Sequence, residues 1–269
     1  MIKVIIHSAD WQYNESSEHV HNAFNHAAKE YFKKMAGYSL EYGRGGLLQV
    51  IAGDIFDRKE NSTIGEFLRV KDFLKTCCSY SETIIVLGNH DYDIRNKQRP
   101  TLLRLLVDSF EIDGLVFYEK SGAYEYSDQF RFFVYSHLDS SKRPDNFEEN
   151  LKKDRLNIGL YHNPLSNAKD FNPNVKYNKY PTPSIFDGLD CVMMGDIHKR
   201  QVINQERGVK AIYSGSPYQR NWGEDVNNHG IVKWDMSNLS FEFVDLDSPY
   251  KLIKLEVDAK EQKYNILNP

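Results

Sequence analysis

Short apolar runs along the first third of the chain each end in a polar segment. These runs span residues 4–7, 47–52 and 83–87. They are rich in β-branched side chains and have the length of buried strands. Between them, apolar residues recur at three- and four-residue steps after Ser16 and Ser17 and over residues 64–77, which predicts two helices. The first of these helices is predicted to end near Gly37.

Three successive units of strand, polar loop and helix predict parallel strands whose loops gather at one edge of a sheet. Open α/β sheets bind their ligands at that edge. The rest of the chain predicts one more helix, at 100–110, and strands at 115–118, 131–135, 156–161, 191–194, 211–213, 231–234, 241–244 and 252–257. Residues 163–183 contain four prolines and predict a long surface loop near a site.

The composition is that of a globular protein. The chain has 269 residues, of which 41% are hydrophobic and 27% charged, enough for one large α/β domain. A net charge of −4 gives no overall basic field, so a nucleic-acid partner would need a local patch or metal ions. Three cysteines make no disulfide framework, and no apolar run approaches membrane-spanning length. We therefore expect a cytoplasmic protein without a membrane partner.

The polar loops carry residues that can bind metal. They supply Asp10, Gln12, Asp54, Asn89, His90, His162, Asp196 and His198. A single acid after a strand is commonly a helix cap, but this joint concentration argues against that interpretation. The mixture of carboxylate, amide and imidazole suits two divalent cations about 3.5–4 Å apart, which stabilise a phosphoryl displacement. Phosphoester hydrolysis is the reaction that this set predicts.

The order of these loops resembles the motifs of the calcineurin-like metallophosphoesterases. The matching segments are Asp10-Trp11-Gln12, Gly53-Asp54-Ile55-Phe56-Asp57, Gly88-Asn89-His90-Asp91, His162 and Gly195-Asp196-Ile197-His198. The resemblance covers nearly the whole chain and implies an α/β fold, a two-sheet sandwich flanked by helices. Gln12 and Asp196 depart from the family pattern, because each stands where the family has a histidine.

The resemblance also implies a role for each loop residue. One metal would be held by Asp10, Gln12, Asp54 and His198, and a second by Asp54, Asn89, His162 and Asp196. Asp54 would bridge the two. His90 would contact the phosphate and protonate the leaving oxygen, while a hydroxide held by the metals attacks in line.

The two departures change the predicted metal preference. Gln12 offers a neutral amide oxygen, which is a weaker ligand than imidazole, and Asp196 offers a carboxylate, which binds hard cations more strongly. The resulting oxygen-rich set favours manganese or magnesium over zinc or copper. We therefore expect two divalent cations, with Mn²⁺ preferred and Mg²⁺ as the alternative.

Within the superfamily the chain is most similar to the SbcD-type DNA repair nucleases, including a phage-like subgroup. The similar segments are residues 7–11, the second motif, Gly195 to Lys199, and Tyr213 to Arg220 followed by Gly223-Glu224. This resemblance implies a manganese-dependent DNA endonuclease and exonuclease, a homodimer acting in DNA repair or recombination with an SMC-like coiled-coil ATPase of the SbcC type. The cellular setting would be a bacterial or phage-infected cell.

Basic residues near the loops are candidates for DNA contacts, since they would hold phosphates without reading bases. They are Arg95, Lys97, Arg99, Lys199, Arg200 and Arg220. For each one, a solvated surface charge is an equally good interpretation. Two other functions also stay open: a small-molecule phosphodiesterase or pyrophosphatase, and a metal-binding scaffold without catalysis.

We divide the chain into a metallophosphoesterase domain at 1–245 and a C-terminal extension at 246–269. The related nucleases continue into a small capping domain and a helical segment that holds the ATPase. The extension could be the start of such a capping domain. A truncated chain and a minimal family member are both consistent with an end at Pro269.

Overall fold

The computed structural model describes residues 1–58, 62–93, 99–139, 141–203, 208–258 and 263–266. The strands are β1 Val4–Ser8, β2 Leu47–Ile51, β3 Glu82–Val86, β4 Leu115–Tyr118, β5 Gly122–Glu125, β6 Phe130–Tyr135, β7 Leu156–His162, β8 Cys191–Gly195, β9 Gln201–Ile203, β10 Lys210–Tyr213, β11 Gly230–Asp235, β12 Ser240–Asp245, β13 Leu255–Asp258 and β14 Lys263–Ile266. The α-helices are α1 Glu18–Tyr42, α2 Ile64–Tyr80, α3 Leu102–Ser109 and α4 Phe147–Asn150. No helix in these ranges is long and apolar enough to cross a membrane.

The strands form two six-stranded mixed sheets. The first has the order β12-β11-β1-β2-β3-β4. Strands β1 to β4 are parallel to one another, and β11 is antiparallel to both of its neighbours, β1 and β12. The second has the order β5-β6-β7-β8-β10-β9, with a parallel centre from β6 to β10 and antiparallel edges. The predicted α/β two-sheet fold with flanking helices is therefore confirmed.

Side-chain alternation along the strands builds three apolar layers. In β1, Ile5 faces the second sheet and packs in one cluster with Leu160 of β7, whereas Ile6 faces the helices and shares a cluster with Phe24 of α1. The outer face of the second sheet is covered by Phe147 of α4 and by Phe186. Because both faces of each central strand are buried, the strands read as continuous apolar runs.

The first helix is longer than the sequence predicted. Our prediction that α1 ends near Gly37 is wrong, since the helix continues to Tyr42 and terminates at Gly43 with φ 72°. Tyr38 and Tyr42 extend the apolar face and pack against the core, which offsets the cost of one glycine inside a helix. A positive φ is a conformation that glycine adopts at little cost, and Gly43 supplies it where the helix ends.

The structure also contains strands that the apolar pattern did not predict. β5 and β9 are short edge strands with few buried side chains, so they carry little apolar signal. β14 was not predicted either; it pairs with β13, which overlaps the strand predicted at 252–257, in a separate antiparallel sheet within the region that we assigned to the C-terminal extension. The division of the chain at residue 245 stays a prediction.

Candidate metal centre

Loops from both sheets meet at one edge of the sandwich. Asp10 and Gln12 follow β1, Asp54 follows β2, and Asn89 with His90 follows β3, so the first sheet supplies five of the predicted site residues. The second sheet supplies His162, the last residue of β7, and Asp196 with His198 after β8. Parallel strands in each sheet place these loops at carboxyl ends, as the sequence predicted.

Hydrogen bonds between the sheets hold the loops together. The ring of His162 donates from Nδ1 to the carbonyl oxygen of Ala52 at 2.6 Å. The backbone N–H of Asp196 donates to Asp10 Oδ2 at 3.2 Å. Each bond joins a residue of the second sheet to a residue of the first, so the site is a part of the interface between sheets.

Asp54 lies at the centre of this cluster and is buried. Its Oδ1 accepts a hydrogen bond from the backbone N–H of His90 at 2.7 Å and lies 3.3 Å from His162 Nε2. Its Oδ2 accepts a hydrogen bond from the amide of Gln12 at 2.6 Å. The carboxylate therefore has contacts with loops of β1, β3 and β7, the placement that a bridging ligand requires.

Three atoms of the predicted ligands are buried without a hydrogen-bond partner: Asp10 Oδ1, Asn89 Oδ1 and His162 Nε2. Buried polar atoms are nearly always paired, so an unpaired group calls for an explanation such as a bound ion. Because Nδ1 of His162 donates to a carbonyl, Nε2 is the ring nitrogen that would give its lone pair to a cation when the cation displaces the proton. The residues present therefore fit divalent cations.

The ligand atoms are close enough to share an ion. One atom each from Asp10, Asp54 and His162 lies within 4.8 Å of the others. His162 Nε2 is 3.7 Å from Asp196 Oδ1 and 3.9 Å from Asp10 Oδ1, and His198 Nε2 is also 3.9 Å from Asp10 Oδ1. Six of the predicted residues, Asp10, Gln12, Asp54, His162, Asp196 and His198, thus form one connected group.

Burial and mutual charge perturb the acids of this group. Burial raises the pKa of Asp10 to about 7, and the nearby Asp54 and Asp196 act in the same direction. Burial also opposes protonation of His162, but the carboxylates around it outweigh that effect and raise its pKa well above the usual value. The protein alone thus retains protons where cations would otherwise balance the carboxylates.

The backbone at the site adopts a conformation that side chains normally avoid. Eight non-glycine residues in the described ranges have positive φ, and four of them are predicted ligands. Those four are Asp10 at 55°, Gln12 at 38°, Asp54 at 56° and Asp196 at 109°. Such conformations cost about 1–3 kcal/mol each and concentrate at functional sites. The strain supports a functional interpretation of these loops.

Gln12 contacts the bridging acid through its amide nitrogen. Nε2 donates to Asp54 Oδ2, so the contact seen in this structure is with the carboxylate. The amide would have to present its oxygen instead to serve as a ligand. The metal-ligand role of Gln12 stays a prediction.

Two acids with structural roles in the site were not assigned from the sequence. Glu224 is buried and accepts a hydrogen bond from His198 Nδ1 at 2.8 Å, which directs the other ring nitrogen toward Asp10. Carboxylate partners of this kind orient metal-binding histidines. Asp91 accepts four backbone N–H bonds from Asp54, Ile55, Phe56 and Gly88, at 2.8–3.1 Å. Both acids lie inside segments used for the family resemblance, but their partners are distant in sequence.

His90 is held beside the cluster by its ring and its backbone. Its Nδ1 donates to the carbonyl oxygen of Asp57 at 2.6 Å, which fixes the tautomer and leaves Nε2 for a substrate. Its backbone N–H binds Asp54, as described above. This geometry suits the proton donor that the family resemblance implies.

The predicted DNA contacts differ in their accessibility. Arg95 and Lys97 lie outside the described residues, while Arg99 is exposed. Lys199 is half-buried, with Nζ 5.4 Å from the centre of the Phe171 ring. Arg200 pairs with Asp245 and Asn228. Arg220 pairs with Asp57 at 2.6 Å, and its side chain is only 10% exposed.

Comparison with known proteins gives the class of this fold and site. Residues 3–200 match the calcineurin-like phosphoesterase family, and the chain belongs to that family. It is also similar to an uncharacterized protein, R555, of Acanthamoeba polyphaga mimivirus, with 29% identity over 217 residues. That match covers 75% of this chain and 15% of R555, so this chain spans only a small part of that relative's length.

Proposed function

We propose that this protein is a two-metal phosphodiesterase that cleaves DNA, with Mn²⁺ as the preferred cation and Mg²⁺ as the alternative. One observation supports the metal dependence of this activity: the Asp54 carboxylate is buried in a cluster of predicted ligands, and three atoms of those ligands are buried without a hydrogen-bond partner. Family membership supports phosphoester chemistry, and the resemblance to SbcD-type nucleases supports DNA as the substrate.

We assign one cation to Asp10, Gln12, Asp54 and His198, and the other to Asp54, Asn89, His162 and Asp196. When bound, the cations would neutralise the phosphate and supply an activated water. His162 and His198 are oriented for this task by Ala52 and Glu224. His90, fixed by Asp57, would donate a proton to the leaving oxygen.

Fewer basic side chains are free to contact DNA phosphates than the sequence suggested. Arg99 and Lys199 are the described candidates for outer phosphate contacts, because Arg200 and Arg220 are engaged in ion pairs. Arg220 still has Nε and Nη1 buried without partners. We propose that it contacts a phosphate inside the site while Asp57 holds its guanidinium.

The proposed partners rest on the same resemblance. We propose that the protein acts as a homodimer with an SMC-like ATPase in the cytoplasm of a bacterial or phage-infected cell. Light scattering would measure the dimer, and co-purification with such an ATPase would test the complex. A monomer that binds no ATPase would contradict this part without affecting the proposed chemistry.

The experiment incubates the protein with Mn²⁺ and single- or double-stranded DNA, beside Asp54→Asn and His90→Ala. We expect Asp54→Asn to lower cleavage by on the order of 10²–10³-fold or more, since it removes the charged ligand that both cations would share and so weakens their hold on the reacting phosphate. His90→Ala should lower it by roughly 10²–10⁴-fold while metal content, measured by elemental analysis, stays unchanged.

Asp72→Asn is the matched control, because Asp72 is a surface acid on α2 with a side chain 63% exposed. It should cleave as the wild type does. Equal cleavage by the wild type and Asp54→Asn would refute the proposal. Hydrolysis of nucleotide diesters with DNA left intact would assign the protein to small-molecule phosphodiesterases, and tight metal binding without turnover would assign it to scaffolds.

A further inference from the structure

A cleft of about 250 Å³ opens directly beside the candidate metal centre. Its lining includes residues 170–172 of the proline-containing loop and Asn221 and Glu224 from the loop after β10. Asp196 and His198, two predicted ligands, also line it. A group bound here would therefore lie next to a phosphodiester held at the metal centre.

The cleft presents one aromatic ring, that of Phe171. This side chain is half-buried, so part of the ring stays accessible. The ammonium of Lys199 lies 5.4 Å from its centre, and the ring of His229 is 6.3 Å away. These contacts hold the ring in place and cover it on the side of Lys199, so a nucleobase would stack on the part that stays accessible.

The charge of the cleft favours a neutral ligand. Its walls carry the acids Asp170, Asp196 and Glu224 against the ammonium of Lys199. Asp170 accepts a hydrogen bond from Tyr177, and Glu224 binds His198, so both carboxylates are held in place. Apart from Asp196, which we assign to a cation, the cleft has two acids against one ammonium, so it offers no excess positive charge that would select a phosphate over an uncharged flat ring.

An exposed tryptophan lies between two residues of the cleft lining in the chain. Trp222 is 53% exposed and stands between Asn221 and Gly223, which both line the cleft. The other two tryptophans, Trp11 and Trp234, are buried. An accessible indole next to a cleft offers a flat face on which another ring can stack.

We propose that Phe171 and Trp222 form a base-stacking subsite that holds a nucleobase next to the phosphodiester at the metal centre. This inference rests on the proposed nuclease function and names the part of the substrate that the enzyme recognises. Every base has a π-face, so such stacking favours unpaired strands without selecting a sequence. The subsite makes single-stranded or frayed DNA the better substrate.

The test compares two single-stranded oligonucleotides of equal length, one with normal bases and one with abasic sugars at the cleaved positions. The wild type should show a kcat/KM roughly tenfold higher for the oligonucleotide with bases. Phe171→Ala should remove that difference and leave the abasic rate unchanged. Tyr180→Ala is the matched control, since Tyr180 is 41% exposed on the same loop but outside the cleft lining.

Each result has a separate meaning. Equal rates on the two oligonucleotides for the wild type would overturn the subsite and leave the nuclease intact. A uniform loss in Phe171→Ala on both substrates, with a lower melting temperature, would show that the ring only supports the loop and would also overturn the subsite. Phe171→Trp should retain the preference, because it keeps a stacking surface.

Tryptophan fluorescence measures nucleotide binding at the subsite independently of DNA cleavage, so it separates failure of the nuclease proposal from failure of the subsite. With Trp11 and Trp234 buried, quenching by the dinucleotide d(ApA) reports on Trp222, and Trp222→Phe supplies the baseline. Quenching without DNA cleavage by the wild type would refute the nuclease and keep the subsite as a nucleotide site. Absence of quenching would overturn the stacking role of Trp222.

Discussion

At the scale of single residues, the site combines backbone strain with unpaired polar atoms. Asp10 has both, since its φ is positive and its Oδ1 is buried without a partner. Neither feature stabilises the protein by itself, because each costs free energy. Cations that bound these ligands would offset the cost, so we regard the ligand loops as less stable without metal than with it.

A buried imidazole outside the ligand set gives a prediction about pH. His7 on β1 is fully buried, and burial lowers its pKa to about 3, although a backbone contact with Met194 opposes the shift. The unfolded chain protonates this histidine below about pH 6.5, whereas the folded chain does so only near pH 3. The unfolded state therefore binds the extra proton in this window, and stability falls as the pH decreases through it.

The expected contribution can be measured with one variant. Between pH 7 and pH 5, His7 should lower the free energy of unfolding by about 2 kcal/mol. Urea denaturation with EDTA present should show that the wild type loses about that much more than His7→Met over the same interval. Identical pH dependence of the two proteins would contradict a neutral, buried His7.

At the scale of elements, Asp91 connects the loop after β3 to the loop after β2. Its carboxylate accepts N–H bonds from Asp54, Ile55 and Phe56 of one loop and from Gly88 of the other. Asp91→Asn would place an NH₂ group against two of these donors. We expect it to lower the free energy of unfolding by about 2–4 kcal/mol and Mn²⁺ affinity by roughly 10–100-fold.

Asp235→Asn is a suitable control for Asp91→Asn. Asp235 also accepts a backbone N–H bond, from Ser237 at 2.9 Å, but it is exposed at the end of β11. Denaturation and calorimetric metal titration would measure the stability and the Mn²⁺ affinity of both variants. A loss in Asp91→Asn but not in Asp235→Asn would come from the connection between the two loops and not from the exchange of a carboxylate for an amide. Unchanged metal affinity in Asp91→Asn would show that the brace does not position Asp54.

The sequence predicted elements best where burial is continuous. The central strands β1, β2, β3, β7 and β8 were predicted to within about two residues, because both faces are apolar and the loops that follow are polar. The edge strands β5 and β9 lacked that signal, and Gly37 was mistaken for a helix stop. At the site, motif order identified the ligand types, but no local pattern could pair His198 with Glu224 or Asp57 with Arg220.

At the scale of the whole molecule, the two sheets share one site at their common edge. Asp10, Gln12, Asp54 and Asn89 come from the first sheet, whereas His162, Asp196 and His198 come from the second. A cation bound to ligands of both sheets would cross-link the two halves of the sandwich. Metal binding and the stability of the whole fold should therefore be coupled.

This coupling gives a prediction for metal removal. Mn²⁺ at a hundredfold excess over its Kd should add about 2.7 kcal/mol to the free energy of unfolding, a rise in Tm of roughly 5 °C over the EDTA-treated protein. Because the ligands come from both sheets, Asp54→Asn on the first and His162→Asn on the second should each remove most of the shift. Calorimetric scans with and without Mn²⁺ would measure it. If either variant showed the full rise in Tm with Mn²⁺, the stabilising cation would be held by one sheet alone. That result would contradict the proposed cross-link between the sheets, even if both variants were inactive.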